Sequence, residues 1–419
     1  MPRQVEERRN KAAQAWDFKN EIVLIGAGTP VSIPGGADQC FPYTPHPEYR
    51  WLTENCRPGS VLAYDPLEGW THFTPAVTEA ERVWDGVTKE PEGPYLEDLA
   101  KWLEQRQNRP TVWLGVPNGP ADNALTEQAR EKLTHVRRPK DASEIALMER
   151  AAQATKEGHR KAVETIRHGV TERQIQIEME AEMFRAGATA TGYNSIVGVG
   201  TNSAVFHFTP GDRKVALTDV VLIDAGAAVD GYVIDVTRTY PASGKFTPEQ
   251  QAVYDVVLSV LNRSIERCRP GVEWLEIHRL AALDLATGLV HLGILKGNPE
   301  TLVENEAIAM FLPHGIGHMV GLGVRDASGA DPGRAGDRKA AGVRVRCDLV
   351  LQPGYVMTVE PGCYFIPAIL NDPARREKFE EDVDWQKAEA LTAMGGIRLE
   401  DNILITQGVP KNLTVEIPK

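Results

Sequence analysis

VVLIDAGAAVDGYVIDVTRTY, residues 220–240, carries two aspartates in otherwise apolar surroundings. Val220 to Ile223 is an unbroken apolar run, so it reads as a buried strand, and Asp224 ends it. A second apolar stretch, Tyr232 to Ile234, ends on Asp235. Gly226 and the pair Asp230-Gly231 favour a hairpin between them, which would bring both acids to one place. A buried carboxylate without a partner is costly. For a lone Asp the partner is a salt bridge or a turn cap. Two on one hairpin can share a pair of metal ions.

Three further residues extend this pattern towards the C-terminus. His318 closes PHGIGH (313–318), Glu360 sits in TVEPG (358–362), and Glu400 in GGIRLED (395–401). His314 and His318 are four apart, but the glycines between them disfavour a helix, and no Glu follows the first His as in a zinc-binding HExxH. In an extended segment two residues four apart still face one side. Glu360 precedes Pro361, which biases it to an extended conformation. Glu400 stands between apolar strand-like runs, where Glu has poor propensity and needs a reason. Each residue alone has an ordinary structural reading. Together, four carboxylates and one imidazole form an oxygen-rich set that suits two divalent cations. Two such cations would balance the four negative charges, with a bridging hydroxide as nucleophile.

The rest of the chain sets the frame. With 419 residues, two domains are expected. A net charge of −12 argues against a nucleic-acid partner, which would call for a basic stripe. No apolar run reaches membrane-spanning length, and the charged first twenty residues do not read as a signal peptide. Five cysteines without CxxC spacing read as reduced thiols, which places the protein in the cytoplasm. Residues 1–136 alternate helix and strand signals and predict a smaller α/β domain with a largely parallel sheet. Pro139 and its charged neighbours mark a linker. From 140 to 419 the order is helix pair, strands, helix pair, strands, an α+β arrangement with the outline of an internal duplication. The helices are expected to start at Asp141 or Ser143, at Thr171, near Pro248 and near Trp274. Residues 325–346 read as an exposed loop, and 366–390 as an insertion that is helical in its charged part.

These motifs, in this order, resemble the Xaa-Pro peptidases, namely prolidase and aminopeptidase P, of peptidase family M24 with its pita-bread fold. FPYTPHPEYRWLT (41–53) resembles the N-terminal domain these enzymes carry. The resemblance implies a catalytic pita-bread domain and a substrate peptide with proline at the second position. It also implies a homodimer in which the N-terminal domain closes the partner's active site. By the same resemblance Asp224, Asp235, His318, Glu360 and Glu400 bind two divalent metals, with Mn²⁺ the expected ion and Zn²⁺ or Co²⁺ as alternatives. Asp235 and Glu400 bridge the two, and Glu360 doubles as general acid/base. His207 and His314 match substrate-side histidines, and Arg398 the arginine beside the last ligand. One departure stands out. The family's Val-His-Asp run reads Val324-Arg325-Asp326 here. A guanidinium suits a carboxylate, and a free carboxylate close to the scissile bond exists only in a dipeptide. The leading expectation is therefore a Xaa-Pro dipeptidase. The alternatives are aminopeptidase P and a non-catalytic binding protein on the same fold.

Overall fold

The computed structural model describes residues 2–419. The chain divides into two compact units, the first ending at Arg137 and the second spanning Arg138–Lys419.

The first unit is built on four strands in the order Gly69–Phe73, Val61–Asp65, Ile22–Gly26, Thr111–Gly115. Only the last pair is parallel; the other two pairings are antiparallel. This corrects the expected largely parallel sheet. The reason is local. Gly69–Phe73 was not foreseen as a strand, and only three residues separate it from Val61–Asp65, so the two close as a hairpin. Parallel pairing needs a long crossover, which the chain supplies only between Ile22–Gly26 and Thr111–Gly115. The helices include Arg3–Trp16 and Asn123–Arg137, the latter also missed in the sequence.

The second unit has the expected order. The pair Ala142–Thr165 and Glu172–Arg185 precedes one set of strands, and the pair Pro248–Arg267 and Trp274–His291 the other. Three of these helices start with reciprocal capping boxes: Asp141 with Glu144, Thr171 with Gln174, and Thr247 with Gln250. Each cap contributes about 1 kcal/mol, which is why helix starts are legible in sequence. A large core underlies the second helix pair, with Trp274, Phe311, Tyr355 and Phe365 almost fully buried. Three antiparallel strands, in the order Thr237–Pro241, Val220–Asp224, Ile196–Val199, form one sheet. Val356–Val359 pairs with Asp401–Leu404, and Gly362–Tyr364 with Gly396–Arg398.

The segment 325–346 is not the plain exposed loop expected. Arg138 bonds Asp331, Arg334 pairs with Glu273 and Asp348, and Arg338 also reaches Asp348. Ion pairs hold it where no hydrophobic period could. Residues 366–390 carry three short helices, Pro367–Leu370, Pro373–Lys378 and Trp385–Ala390. Among the described residues no helix is long and apolar enough to cross a membrane.

Candidate metal centre

Asp224 is the last residue of the strand Val220–Asp224, opposite Thr237 on one side and Ile196 on the other. Asp235 lies beyond a short hairpin, Ala227–Val229 with Tyr232–Val233. The hairpin returns so tightly that a Cβ on Gly226 would lie 1.7 Å from the Ile234 carbonyl oxygen. Only glycine permits that approach.

The other donors are tied to this arm by backbone and side-chain bonds. The Glu400 amide donates to the Thr237 carbonyl (3.0 Å), and the Asp235 amide to Asn402 Oδ1 (3.0 Å). The His318 amide donates to Thr358 Oγ1 (3.0 Å), and the Glu360 amide to the Ile316 carbonyl (2.8 Å). Asp224, Asp235, His318, Glu360 and Glu400 thus converge from four separate segments. They line one cavity of about 1100 Å³, together with His207, His314, Arg325 and Arg398.

A cation fits this donor set. Asp235, His318 and Glu400, all buried, each offer an atom within 4.8 Å of the others. The Nδ1 of His318 faces the Met319 carbonyl (3.0 Å), so that nitrogen carries the proton. Its bare Nε2 faces Asp235 Oδ2 at 3.4 Å and Glu360 Oε1 at 3.8 Å. Glu400 Oε2 accepts from Thr237 Oγ1 (2.7 Å), but its Oε1 is buried with no hydrogen-bond partner. Such an orphan acceptor calls for a positive ligand. Burial, reinforced by Asp235, Glu360 and Asp224, pushes the Glu400 carboxyl well above the usual range. Burial also raises Asp224 to about 6, although Arg398 opposes the rise. Glu360 goes the other way. Its burial is outweighed by Arg346, His314, His318 and Arg398, which hold it below the ordinary value.

A ring of residues behind the donors fixes them. Arg398 is buried and donates to Asp224 Oδ2 (2.5 Å), Thr237 Oγ1 (3.0 Å) and Tyr364 Oη (3.0 Å). Tyr193 Oη donates to Asp224 Oδ1 (2.7 Å). His314 donates from Nδ1 to the Gly315 carbonyl (2.9 Å), so its Nε2 accepts from Tyr364 Oη (2.8 Å). Burial lowers His314 to about 4, so it is neutral at physiological pH. Phe206, His314 and Tyr364 meet edge to face at 4.9–5.4 Å and form an aromatic corner. His207 is exposed on the cavity wall. Arg325 is also exposed there, and the buried Lys140–Asp326 pair anchors its turn (3.2 Å).

Sequence reading missed the roles of Arg346, Tyr364 and Thr237. Arg346 Nη1 donates to Glu360 Oε1 at 3.0 Å, from the segment read as a loop, and no local pattern marks it. Thr237 had a signal. It lies two residues after Asp235, on the same face of an extended segment.

The chain is also similar to known proteins. Residues 146–407 match the model described as metallopeptidase family M24. A probable Xaa-Pro aminopeptidase, pepP, of Botryotinia fuckeliana is 32% identical over 401 residues, spanning 91% of this chain and 86% of that protein. The Xaa-Pro aminopeptidase of Escherichia coli is 37% identical over 282 residues, 67% of this chain and 57% of that protein. The structure of proline aminopeptidase P II from Yersinia pestis superposes with a TM-score of 0.82 at 30% identity, covering 100% of this chain and 97% of that one. Such a fold is α+β of the pita-bread type. The chain belongs to metallopeptidase family M24 and is a peptidase of its Xaa-Pro branch.

Proposed function

We propose that this peptidase is a Xaa-Pro aminopeptidase, removing the first residue from peptides whose second residue is proline. The observation that carries the reading is the buried convergence of Asp224, Asp235, His318, Glu360 and Glu400, with Glu400 Oε1 left without a protein partner. The names of the relatives favour the aminopeptidase over the dipeptidase expected from sequence.

The five residues would hold two divalent cations, with Mn²⁺ as the expected ion. When bound, such cations lower the pKa of a water and polarise the scissile carbonyl. Glu360 is the proton carrier. The guanidinium of Arg346 keeps it ionised, so it can accept the water proton and return it to the leaving imino nitrogen. Arg398 holds Asp224 in place, and Tyr364 holds neutral His314 against the cavity. His207, exposed on the cavity wall, stabilises the developing oxyanion. Phe206 and His314, which line the cavity with Tyr364 packed behind them, take the apolar prolyl ring. A homodimer in the cytoplasm completes the reading, supported by the family resemblance and the five free cysteines.

A dipeptidase is the second reading, favoured by two guanidinium groups, Arg325 and Arg346, that line the cavity and could take a terminal carboxylate. A panel of Ala-Pro, Ala-Pro-Ala and a longer Ala-Pro peptide, with Mn²⁺, Zn²⁺ or Co²⁺ and with a chelator, separates the two. The proposal expects kcat/KM to hold or rise with peptide length, and activity to vanish with the chelator. Cleavage confined to Ala-Pro would overturn it. Arg325→Ala should then cost the dipeptide more than the tripeptide; an equal loss on both removes Arg325 from substrate selection.

A further inference from the structure

We infer that Glu180 makes this site select peptides whose first residue is basic. The inference rests on the Xaa-Pro reading and names the substrate class within it. The polar residues Gln176, Glu180, Thr191 and Asn194 are part of the cavity lining. Gln176 and Glu180 are one turn apart on the helix Glu172–Arg185, and the Gln176 amide donates to Glu180 Oε1 (2.9 Å). The carboxylate is half-buried and held, yet neutralised by no cation among the described residues.

Its neighbours on the same helix differ. Glu172 is buried and accepts from the amides of Val199 (3.0 Å) and Gly211 (3.1 Å) and from Asn202 (2.8 Å). Glu182 pairs with Arg185 at 3.0 Å. Glu178 is exposed and is not part of the cavity wall. Glu180 alone of these four combines a place in the cavity wall with an uncompensated charge. Arg173 also lines the cavity, but it is two turns away, about 10 Å along the axis, and its guanidinium donates to the Pro210 carbonyl (2.6 Å).

Substrate placement links this lining to the first residue. On the proposed reading the apolar prolyl ring sits against Phe206 and His314, which line the cavity. The residue before it must then direct its side chain elsewhere. Tyr193, whose hydroxyl bonds Asp224, leads to the polar lining, because Asn194 follows it directly and Thr191 stands two residues before. A lysine or arginine there meets Glu180, while an acidic side chain is repelled by it. A fixed, half-shielded charge pair of this kind is expected to change kcat/KM by about fivefold, and less at high salt.

The test compares Lys-Pro-Ala, norleucine-Pro-Ala, Ala-Pro-Ala and Glu-Pro-Ala on the metal-loaded enzyme and on Glu180→Gln and Glu180→Lys. The wild type should prefer lysine over norleucine, which matches its length without its charge, by about fivefold. Glu180→Gln should erase that preference, lowering kcat/KM for the lysine peptide relative to the norleucine and alanine peptides, and Glu180→Lys should favour the glutamate peptide. Equal rates on lysine and norleucine peptides in the wild type overturn the inference. So does a Glu180→Gln loss that is the same for every peptide. If Ala-Pro-Ala is not cleaved at all, the aminopeptidase reading falls and this inference falls with it; if it is cleaved without a charge preference, only the inference falls.

Discussion

Metal affinity should depend on pH in two regimes, with a break near pH 6. The perturbation is the loading of chelator-stripped protein with Mn²⁺ or Zn²⁺ between pH 5 and 8. In the metal-free site Asp224 titrates at about 6, raised from 3.8. That rise corresponds to about 3 kcal/mol at 1.36 kcal/mol per unit, the extra cost of ionising this carboxyl in the empty site. Burial, reinforced by Asp235, Glu360 and Asp224, also pushes the Glu400 carboxyl well above its usual range. Below pH 6 Asp224 holds a proton that cations must displace. The fall in apparent affinity should therefore steepen by about a further tenfold for each unit of acidification below pH 6. Calorimetry in buffers of different protonation heat counts the same protons directly, and at least about half a proton, from Asp224, should leave at pH 6. A slope that does not steepen between pH 7 and pH 5, with no proton released at pH 6, would refute the argument, because the empty site would then hold Asp224 ionised.

Two other perturbations follow from the same structure. Gly226→Ala places a Cβ 1.7 Å from the Ile234 carbonyl oxygen, so the strand ends carrying Asp224 and Asp235 must separate; metal affinity should drop at least tenfold while the fold loses about 1–3 kcal/mol, and isothermal titration with thermal unfolding reads both. His278 is buried and lowered to about 4 by burial. Between pH 6.5 and 4 the unfolded chain binds the proton that the folded one refuses, so stability falls as pH falls through that window. The stability gap between wild type and His278→Gln should narrow by about 3 kcal/mol from pH 7 to pH 4, and a constant gap in urea unfolding would contradict it.

Legibility followed range along the chain. Helix starts at Asp141, at Thr171 and near Pro248 were visible because the signals for a helix start lie within a few residues of one another, and in the structure each carries a reciprocal cap. The Asp224–Asp235 hairpin was visible because its turn residues lie between the two acids. Strand direction in the first unit was not. Alternating helix and strand signals suggested parallel pairing, and the hairpin strand Gly69–Phe73 is polar enough to pass for loop. Arg346 was hidden for another reason. It meets Glu360 fourteen positions away, across the strand Val356–Val359, and neither periodicity nor composition encodes that approach. The same holds for Tyr364, which joins Arg398 to His314 only once two separate strands have paired.

The scatter of the donors along the chain also orders assembly in time. Asp235 and Glu400 come together across 163–165 residues, counting from Thr237 or Asp235, and no local segment holds more than two of the acids. Closing such loops is slow, and the acids repel one another until a cation arrives. The polypeptide must therefore complete its long-range pairing unaided, with strands and ion pairs forcing like charges together. On the proposed two-cation reading, uptake would follow this pairing, and a newly made molecule would pass through an interval in which it is folded but inactive.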